Sequence, residues 1–214
     1  MQKRSFAVLG LGKYGKSLAE ALYDLGMDVL VCDRSPERVE EFSEKATVAV
    51  CCDLGNEEEV KALGLSNVDV VIVAMSSDFA ASVLCVVLAK EAGVAKIVAK
   101  ASSARAASIL RRLGADRVID PEAEGGVRSA RILASNSIAD FFDMDELCVV
   151  KLVPKAAWIG KTLRELDLRR REAVNVIALR EAEGAWAFVD PDAPLGERTR
   201  MLVAMEKKNL RHFE

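Results

Sequence analysis

The stretch FAVLGLGKYGKSLAEAL, Phe6 to Leu22, decides the fold. A short apolar run enters Gly10-Leu-Gly12-Lys-Tyr-Gly15 and leaves as an amphipathic helix. The bare spacing G-x-G-x-x-G is a weak signal, and its context gives it meaning. An acid, Asp33, closes the second apolar run eighteen residues after Gly15, near the roughly 20 expected of a dinucleotide-binding unit. Each glycine has its own task. Gly10 allows a tight turn, Gly12 lets backbone approach phosphate oxygens, and Gly15 lets the helix lie close to the strand. The helix start offers free N–H groups and a positive dipole end to phosphates.

Outward from this stretch, short β-branched runs alternate with longer amphipathic ones. Strands are expected at SFAVLG, MDVLVCD, TVAVCCD, VDVVIVA, AKIVAK and DRVID. Helices are expected at KSLAEALYDLG, SPERVEEFSEK, NEEEVKALG, DFAASVLCVVLAKEAG and SSARAASILRRLG. Gly26, Gly93 and Gly114 follow helices where a left-handed cap suits glycine. Ser35 precedes Pro36, a cap followed by proline at the first helical position. Strict alternation predicts an α/β fold, a Rossmann-like doubly wound parallel sheet. Right-handed crossovers give the strand order 3-2-1-4-5-6.

Pro121 opens a further helix, read as running from about Glu122 to Phe142, with Gly125-Gly126 loosening its first turn and an apolar face suited to a crossover or dimer contact. From Met144 the pattern changes. LCVVKLV, NVIALRE and MLVAME read as strands, and WIGKTLRELDLRRR as a short helix and turn. The expected division is a nucleotide-binding domain over 1–120, a crossover helix over 121–143 and a small α+β domain over 144–214. So small a unit often completes its core by pairing with a copy of itself.

Composition narrows the function classes. Of 214 residues, 51% are apolar and the net charge is −3. A nucleic-acid footprint wants clustered excess Lys and Arg, and the one dense basic run, LRRRE from Leu168, reads as a solvated face. No apolar segment reaches the roughly 18 residues of a membrane span, and FAVLGLG is too short and glycine-broken for a signal peptide, so a cytoplasmic protein is expected. The five cysteines, Cys32, Cys51, Cys52, Cys85 and Cys148, sit in apolar patterns without metal-ligand spacing and read as buried reduced thiols.

The ligand reading extends from the glycines. Asp33 accepts hydrogen bonds from ribose hydroxyls and disfavours a 2′-phosphate, although Arg34 beside it tolerates one. Lys13 and Lys16 place cations near the helix start, which suits a longer phosphate tail or plain solvent exposure. Tyr14 belongs to the same loop. Asp53, followed by Leu54, ends the third strand beside the expected adenine pocket, or serves as a turn carboxylate. Ala74, Met75 and Ser76 would pass beneath ribose and phosphates. Ser77 or Asp78 caps the helix that follows.

The motifs VLGLGKYGKSLA, the Asp-Arg after strand two, VDVVIVAMSSDFAASVLCVVLAKEAG, IVAKASS and above all LRRLGADRVIDPEAEGGVRSA resemble the cytoplasmic regulatory subunits of Ktr/Trk potassium transporters, built from RCK (regulator of conductance of potassium) domains. The resemblance continues through KTLRELDLR and covers nearly the whole chain. It implies an RCK N-terminal domain binding ATP or ADP, or alternatively NAD(H). It implies dimers assembled as an octameric ring at the inner face of the membrane, beneath a potassium-conducting subunit. By resemblance Lys13 stands where an Arg often reaches a γ-phosphate, and Lys lacks the bidentate fork. Lys100 and Arg105 are phosphate candidates. Glu122 matches an acid that helps hold Mg²⁺ or Ca²⁺ between paired subunits. Arg169, Asn175 and Pro191 fall where some relatives bind cyclic di-AMP.

The competing class is an NAD-dependent oxidoreductase. It needs a general acid or base near the nicotinamide, yet His212 in the C-terminal tail is the single histidine and no Tyr-x-x-x-Lys pair is present. The expectation is therefore a regulator and not an enzyme. A free-standing nucleotide or redox sensor acting on another soluble partner is a third class.

Overall fold

The computed structural model describes residues 3–213. The chain divides into two compact units, Met1–Glu122 and Ala123–Glu214. In the first, six strands are all parallel: β1 (Ser5–Leu9), β2 (Asp28–Asp33), β3 (Val48–Cys51), β4 (Val70–Val73), β5 (Lys96–Lys100) and β6 (Arg117–Ile119). Their order is β3-β2-β1-β4-β5-β6, the order expected from the alternation. The connecting helices are α1 (Lys13–Asp24), α2 (Pro36–Glu40), α3 (Glu57–Ala62), α4 (Phe79–Glu91) and α5 (Ala104–Leu113).

Successive strand side chains point to opposite faces, and both faces are covered. Ala7, Leu9, Val71, Val73, Ile97 and Ala99 pack with Val60, Cys85, Ala89 and Leu110 from α3, α4 and α5. Val8, Val29, Val31 and Ile72 pack on the other face with Ala19 of α1 and with Phe42. Burial on both sides is why these strands carry so few polar residues. β1 lies between β2 and β4, so the chain leaves the sheet centre in opposite directions and opens a crevice at the strand ends there.

Helix starts follow cap chemistry. Ser35, Asn56, Asp78 and Ser103 each accept a hydrogen bond from a first-turn backbone N–H. The helix expected over SPERVEEFSEK is shorter: α2 ends at Glu40, and tight turns follow in which Phe42, Ser43 and Lys45 donate to the carbonyls of Val39, Glu40 and Phe42. Those turns let the fully buried Phe42 reach the sheet. Of the cysteines, Cys32, Cys52, Cys85 and Cys148 are buried, but Cys51 is exposed, correcting the expectation for all five. Its strand, β3, is the sheet edge. Burial pushes the Cys85 thiol up to about 12 and drives Cys32 in the same direction.

The helix read as continuing to Phe142 also requires correction. α6 (Pro121–Ala134) stops eight residues earlier, and Ile138–Met144 forms a strand, β7. Ser135 Oγ accepts from the N–H groups of Ser137 and Ile138 and donates to the Phe213 carbonyl. A side chain that satisfies backbone in this way competes with helix continuation. In β7, Ile138 and Phe141 are buried, with a register irregularity between Ile138 and Asp140.

The second unit is a five-stranded antiparallel sheet of order β10-β9-β11-β8-β7. The other strands are β8 (Leu147–Leu152), β9 (Val174–Glu181), β10 (Ala187–Phe188) and β11 (Thr199–Glu206). Three were expected, and β7 and the two-residue β10 are additional. Cys148, Val150 and Leu152 of β8 alternate inward beside Met201, Val203 and Met205 of β11. Trp158, Leu166, Leu168, Leu210 and Phe213 close this core. The short helices α7 (Leu163–Leu166) and α8 (Leu168–Arg171) supply Leu166 and Leu168, and a capping box between Thr162 and Glu165 starts α7.

Asp140 ties α6 to this sheet, receiving Arg128 Nη2 at 2.6 Å and Lys151 Nζ at 3.0 Å. Partial burial opposes its ionisation, but these hydrogen bonds outweigh the burial and hold the carboxyl below the usual aspartate range. A lowered folded-state pKa contributes stability that is present above the unfolded-state value and is lost as pH falls through the folded value. Asp140→Asn is therefore expected to flatten the loss of stability as pH falls through and below the usual aspartate range. Urea denaturation across that range checks it, and an unchanged pH slope would count against the ion pair.

Candidate functional site

The site is built where β1 ends. Gly10 turns the chain at φ +101°, a left-handed conformation that favours glycine, and its N–H donates to the Cys32 carbonyl at 2.7 Å. Gly12 is the N-cap of α1 in extended backbone and brings no capping side chain, and the first turn of α1 holds no acid. The opening N–H groups of such a helix lack intrahelical acceptors. Gly15 is buried under the loop, where an added Cβ would lie 1.9 Å from the Gly10 carbonyl oxygen.

Asp33 closes β2 and is 6% exposed. Its Oδ2 accepts from the Leu11 N–H at 2.7 Å and from Arg38 Nη1 at 3.4 Å, while Oδ1 accepts from the Ser35 N–H at 2.9 Å. One carboxylate thus ties the glycine loop to the start of α2. Oxygens of this kind offer about four acceptor positions, and three of these are used by protein donors. Asp53 follows β3 and receives the Gly55 N–H on Oδ1 at 2.9 Å, a turn role. Asp78 caps α4 through the Ala81 N–H at 3.0 Å.

A cavity of about 280 Å³ gathers these groups. Of the residues singled out in the sequence, Gly10, Gly12, Asp33, Arg34, Asp53, Leu54, Ala74, Met75, Ser76, Ser77 and Lys100 line it. Arg38, Gly55 and Ala81 also line it and were not anticipated, and Asp78 lines it as well as capping α4. Arg38 had one available signal: it lies in the helix that follows Asp33, within side-chain reach of that acid.

The other candidates lie elsewhere. Lys13 is exposed in the first turn of α1, and Tyr14 packs against the sheet face that also holds Phe42. Lys16 pairs with Glu41. Arg105 is exposed in the first turn of α5. Glu122 pairs with Lys100 at 2.5 Å, and that hydrogen bond holds its carboxyl below the usual range. Among the described residues, no three His, Cys, Asp or Glu side chains cluster to hold a metal. Arg169 on α8, Asn175 on β9 and Pro191 in the loop after β10 are all exposed in the second unit.

The cavity's chemistry is mixed. Backbone N–H groups and Lys100 favour an anion at one wall, while Asp33 with Arg34 and Arg38 suits a polar, hydroxyl-bearing group at another.

The family model for the TrkA-N domain matches residues 6–121, and that for the TrkA-C domain matches 147–214. The chain is 35% identical over 190 residues to Ktr system potassium uptake protein C of Bacillus subtilis, spanning 88% of this chain and 85% of that protein. It is 30% identical to Ktr system potassium uptake protein A of the same organism, spanning 100% and 97%. Its fold resembles the GsuK RCK domain at TM-score 0.68 and 17% identity, covering 99% of this chain and 46% of that one. The chain spans less than half the length of the solved GsuK chains that it matches. With a TrkA-N domain, a TrkA-C domain and likeness to both Bacillus proteins over most or all of their length, this chain belongs to the family of Ktr system potassium uptake proteins.

Proposed function

We propose that the chain is a nucleotide-binding regulatory subunit of a potassium uptake system, acting on a separate potassium-conducting membrane subunit from the cytoplasmic side. The observation that carries this reading is one cavity in which the Gly10–Gly12 turn faces Asp33, within a chain of the Ktr family. Solved structures of like fold support the ligand class: the GsuK channel bound to NAD, GsuK bound to ADP and a Kef C-terminal domain in AMP-bound form.

In this reading the phosphates approach the backbone at Gly10 and Gly12. A ribose hydroxyl takes the acceptor position left on Asp33. Adenine lies towards Asp53 and Leu54. ATP or ADP is the preferred ligand and NAD(H) the alternative. The role proposed is regulation and not turnover, in keeping with relatives named as potassium uptake proteins. ATP and ADP share all but the γ-phosphate, and only a contact to that group shifts an equilibrium between them. Lys13, exposed and outside its own chain's cavity, is the candidate for that contact across a homodimer, and dimers are proposed to build the octameric ring. Glu122 is a single carboxylate already held by Lys100. A Mg²⁺ or Ca²⁺ site there requires oxygens from a second copy and from the ligand. Arg169, Asn175 and Pro191 remain the proposed contacts for cyclic di-AMP.

Thermal unfolding of the purified protein with ATP, ADP, NADH and cyclic di-AMP, with and without Mg²⁺ or Ca²⁺, tests the reading. A ligand that binds only the folded state raises the midpoint, by about 2.7 kcal/mol of stability at a hundredfold excess over Kd. A rise with ATP or ADP is expected. No rise with any adenine nucleotide would overturn the proposal.

A further inference from the structure

We propose that the outer face of the second sheet, around Arg180 and Arg200, docks an acidic, partly apolar segment of another protein. Strand register builds this face. Met201, Val203 and Met205 of β11 point into the core, so Arg200 and Leu202 point the other way. On β9, Arg180 lies beside Arg200 and Ala178 beside Leu202. On β10, Phe188 lies beside Ala178. Trp186, just before β10, has the Arg180 guanidinium over its ring, 5.1 Å from the centroid. Two rows therefore cross three strands: Trp186, Arg180 and Arg200 in one, and Phe188, Ala178 and Leu202 in the next.

The first row is electrostatically unfinished. Like charges directly opposite each other on neighbouring strands destabilise a sheet, and two arginines are so placed here. Among the described residues neither has a carboxylate partner. Arg200 Nη1 donates to the carbonyls of Arg198 and Thr199, at 3.5 and 3.1 Å, and Arg180 Nε is buried without a hydrogen-bond partner. Glu181, next in sequence, instead accepts from the buried Thr199 hydroxyl. The second row ends on Phe188, 93% exposed. The β7 end of the same face is provided for: Asp140 accepts from Lys151, and Arg128 lies over the Phe142 ring. The β10–β9–β11 end has no such provision among the described residues.

These features select the occupant. Trp and Arg anchors beside exposed apolar area are what protein partners bury at the centre of an interface, and guanidinium forks bind carboxylates in two-point fashion. The occupant brings Asp or Glu to the two arginines and apolar side chains to Phe188 and Leu202. A second copy of this face does not fit, because it would bring four arginines together without an acid. A free anion does not fit either, because it leaves Phe188 in water. The face lies within the second unit, so the proposal stands or falls apart from nucleotide binding in the first.

The test is fluorescence anisotropy of a short dye-labelled peptide, Glu interspersed with Leu and Phe, titrated with the full chain. The comparisons are the same peptide with Gln for every Glu, and vesicles of phosphatidylglycerol. The Glu peptide is expected to bind at least about tenfold more tightly than the Gln peptide and to weaken as salt rises. Arg200→Gln and Phe188→Ser are each expected to weaken it at least about fivefold. The unfolding midpoint of Arg200→Gln is expected not to fall, because the change removes a like charge from beside Arg180. Should it fall, Phe188→Ser, altered at a side chain already in water, decides the matter. Equal affinity for the two peptides, or wild-type affinity in a folded variant, would overturn the proposal. So would no saturable binding of the Glu peptide up to about 1 mM, and binding to the vesicles in place of the peptide would assign the face to a lipid surface instead.

Discussion

Gly15→Ala is expected to destabilise the first unit by at least about 3 kcal/mol, at the upper end of overpacking costs, and to lower its unfolding midpoint by roughly 10 °C. The cause is distance. A methyl group at position 15 would lie 1.9 Å from the Gly10 carbonyl oxygen and 3.2 Å from Ala74 Cβ. The first neighbour is backbone and cannot rotate away. Relief requires α1 to lift from β1, which opens the packing of Ala19 and Leu11 against Val8, Val29 and Val31. It also stretches the Leu11 N–H bond to Asp33. Differential scanning calorimetry of the variant without ligand measures the effect. A midpoint within a degree or two of wild type would mean that the loop is far softer than its geometry implies.

Gly12→Ala is expected to do the opposite: to leave the empty protein intact and abolish most ligand binding. No atom lies within 4 Å of a Cβ built on Gly12, and its φ of −69° is one that any residue adopts. Alanine is a poorer N-cap than glycine by less than about 1 kcal/mol, and the loss of backbone freedom in the unfolded chain offsets part of that. The open space is where phosphates of the proposed ligand approach the N–H groups of α1. A methyl group there holds them off, with an expected loss in affinity of at least about tenfold, or about 1.4 kcal/mol. Calorimetry with ADP against the midpoint of the unliganded variant checks both halves. Wild-type affinity in a folded Gly12→Ala protein would remove the phosphates from this loop.

The two glycines show what a sequence can convey. GxGxxG followed by Asp33 made the loop, its strand and its helix legible, because each glycine answers a local steric demand. The strand order was legible for a similar reason, since one handedness of crossover leaves few arrangements. The end of α6 was not. The segment ILASNSIADFF carries apolar residues at intervals that suit either period, and the outcome turns on Ser135, whose hydroxyl meets the Phe213 carbonyl 78 residues away. Arg38 escaped notice because its contact with Asp33 exists only once α2 has turned back over β2. The Lys100–Glu122 pair escaped for the same reason. Each residue was read alone, and the sheet makes them partners.

The second sheet carries a consequence for how the protein is made. Its middle strand, β11, is the last of its strands in the chain, flanked by β8 and β9. Until residues 199–206 leave the ribosome, β7–β8 and β9–β10 are two separate ribbons with unpaired inner edges, and isolated hairpins are marginal in water. The first unit meets no such delay, because all six of its strands precede residue 120. Vectorial synthesis thus delivers a sheet that can already close, followed by two halves awaiting one late strand that zips them together. Their exposed edges are what a chaperone would meet in the interval.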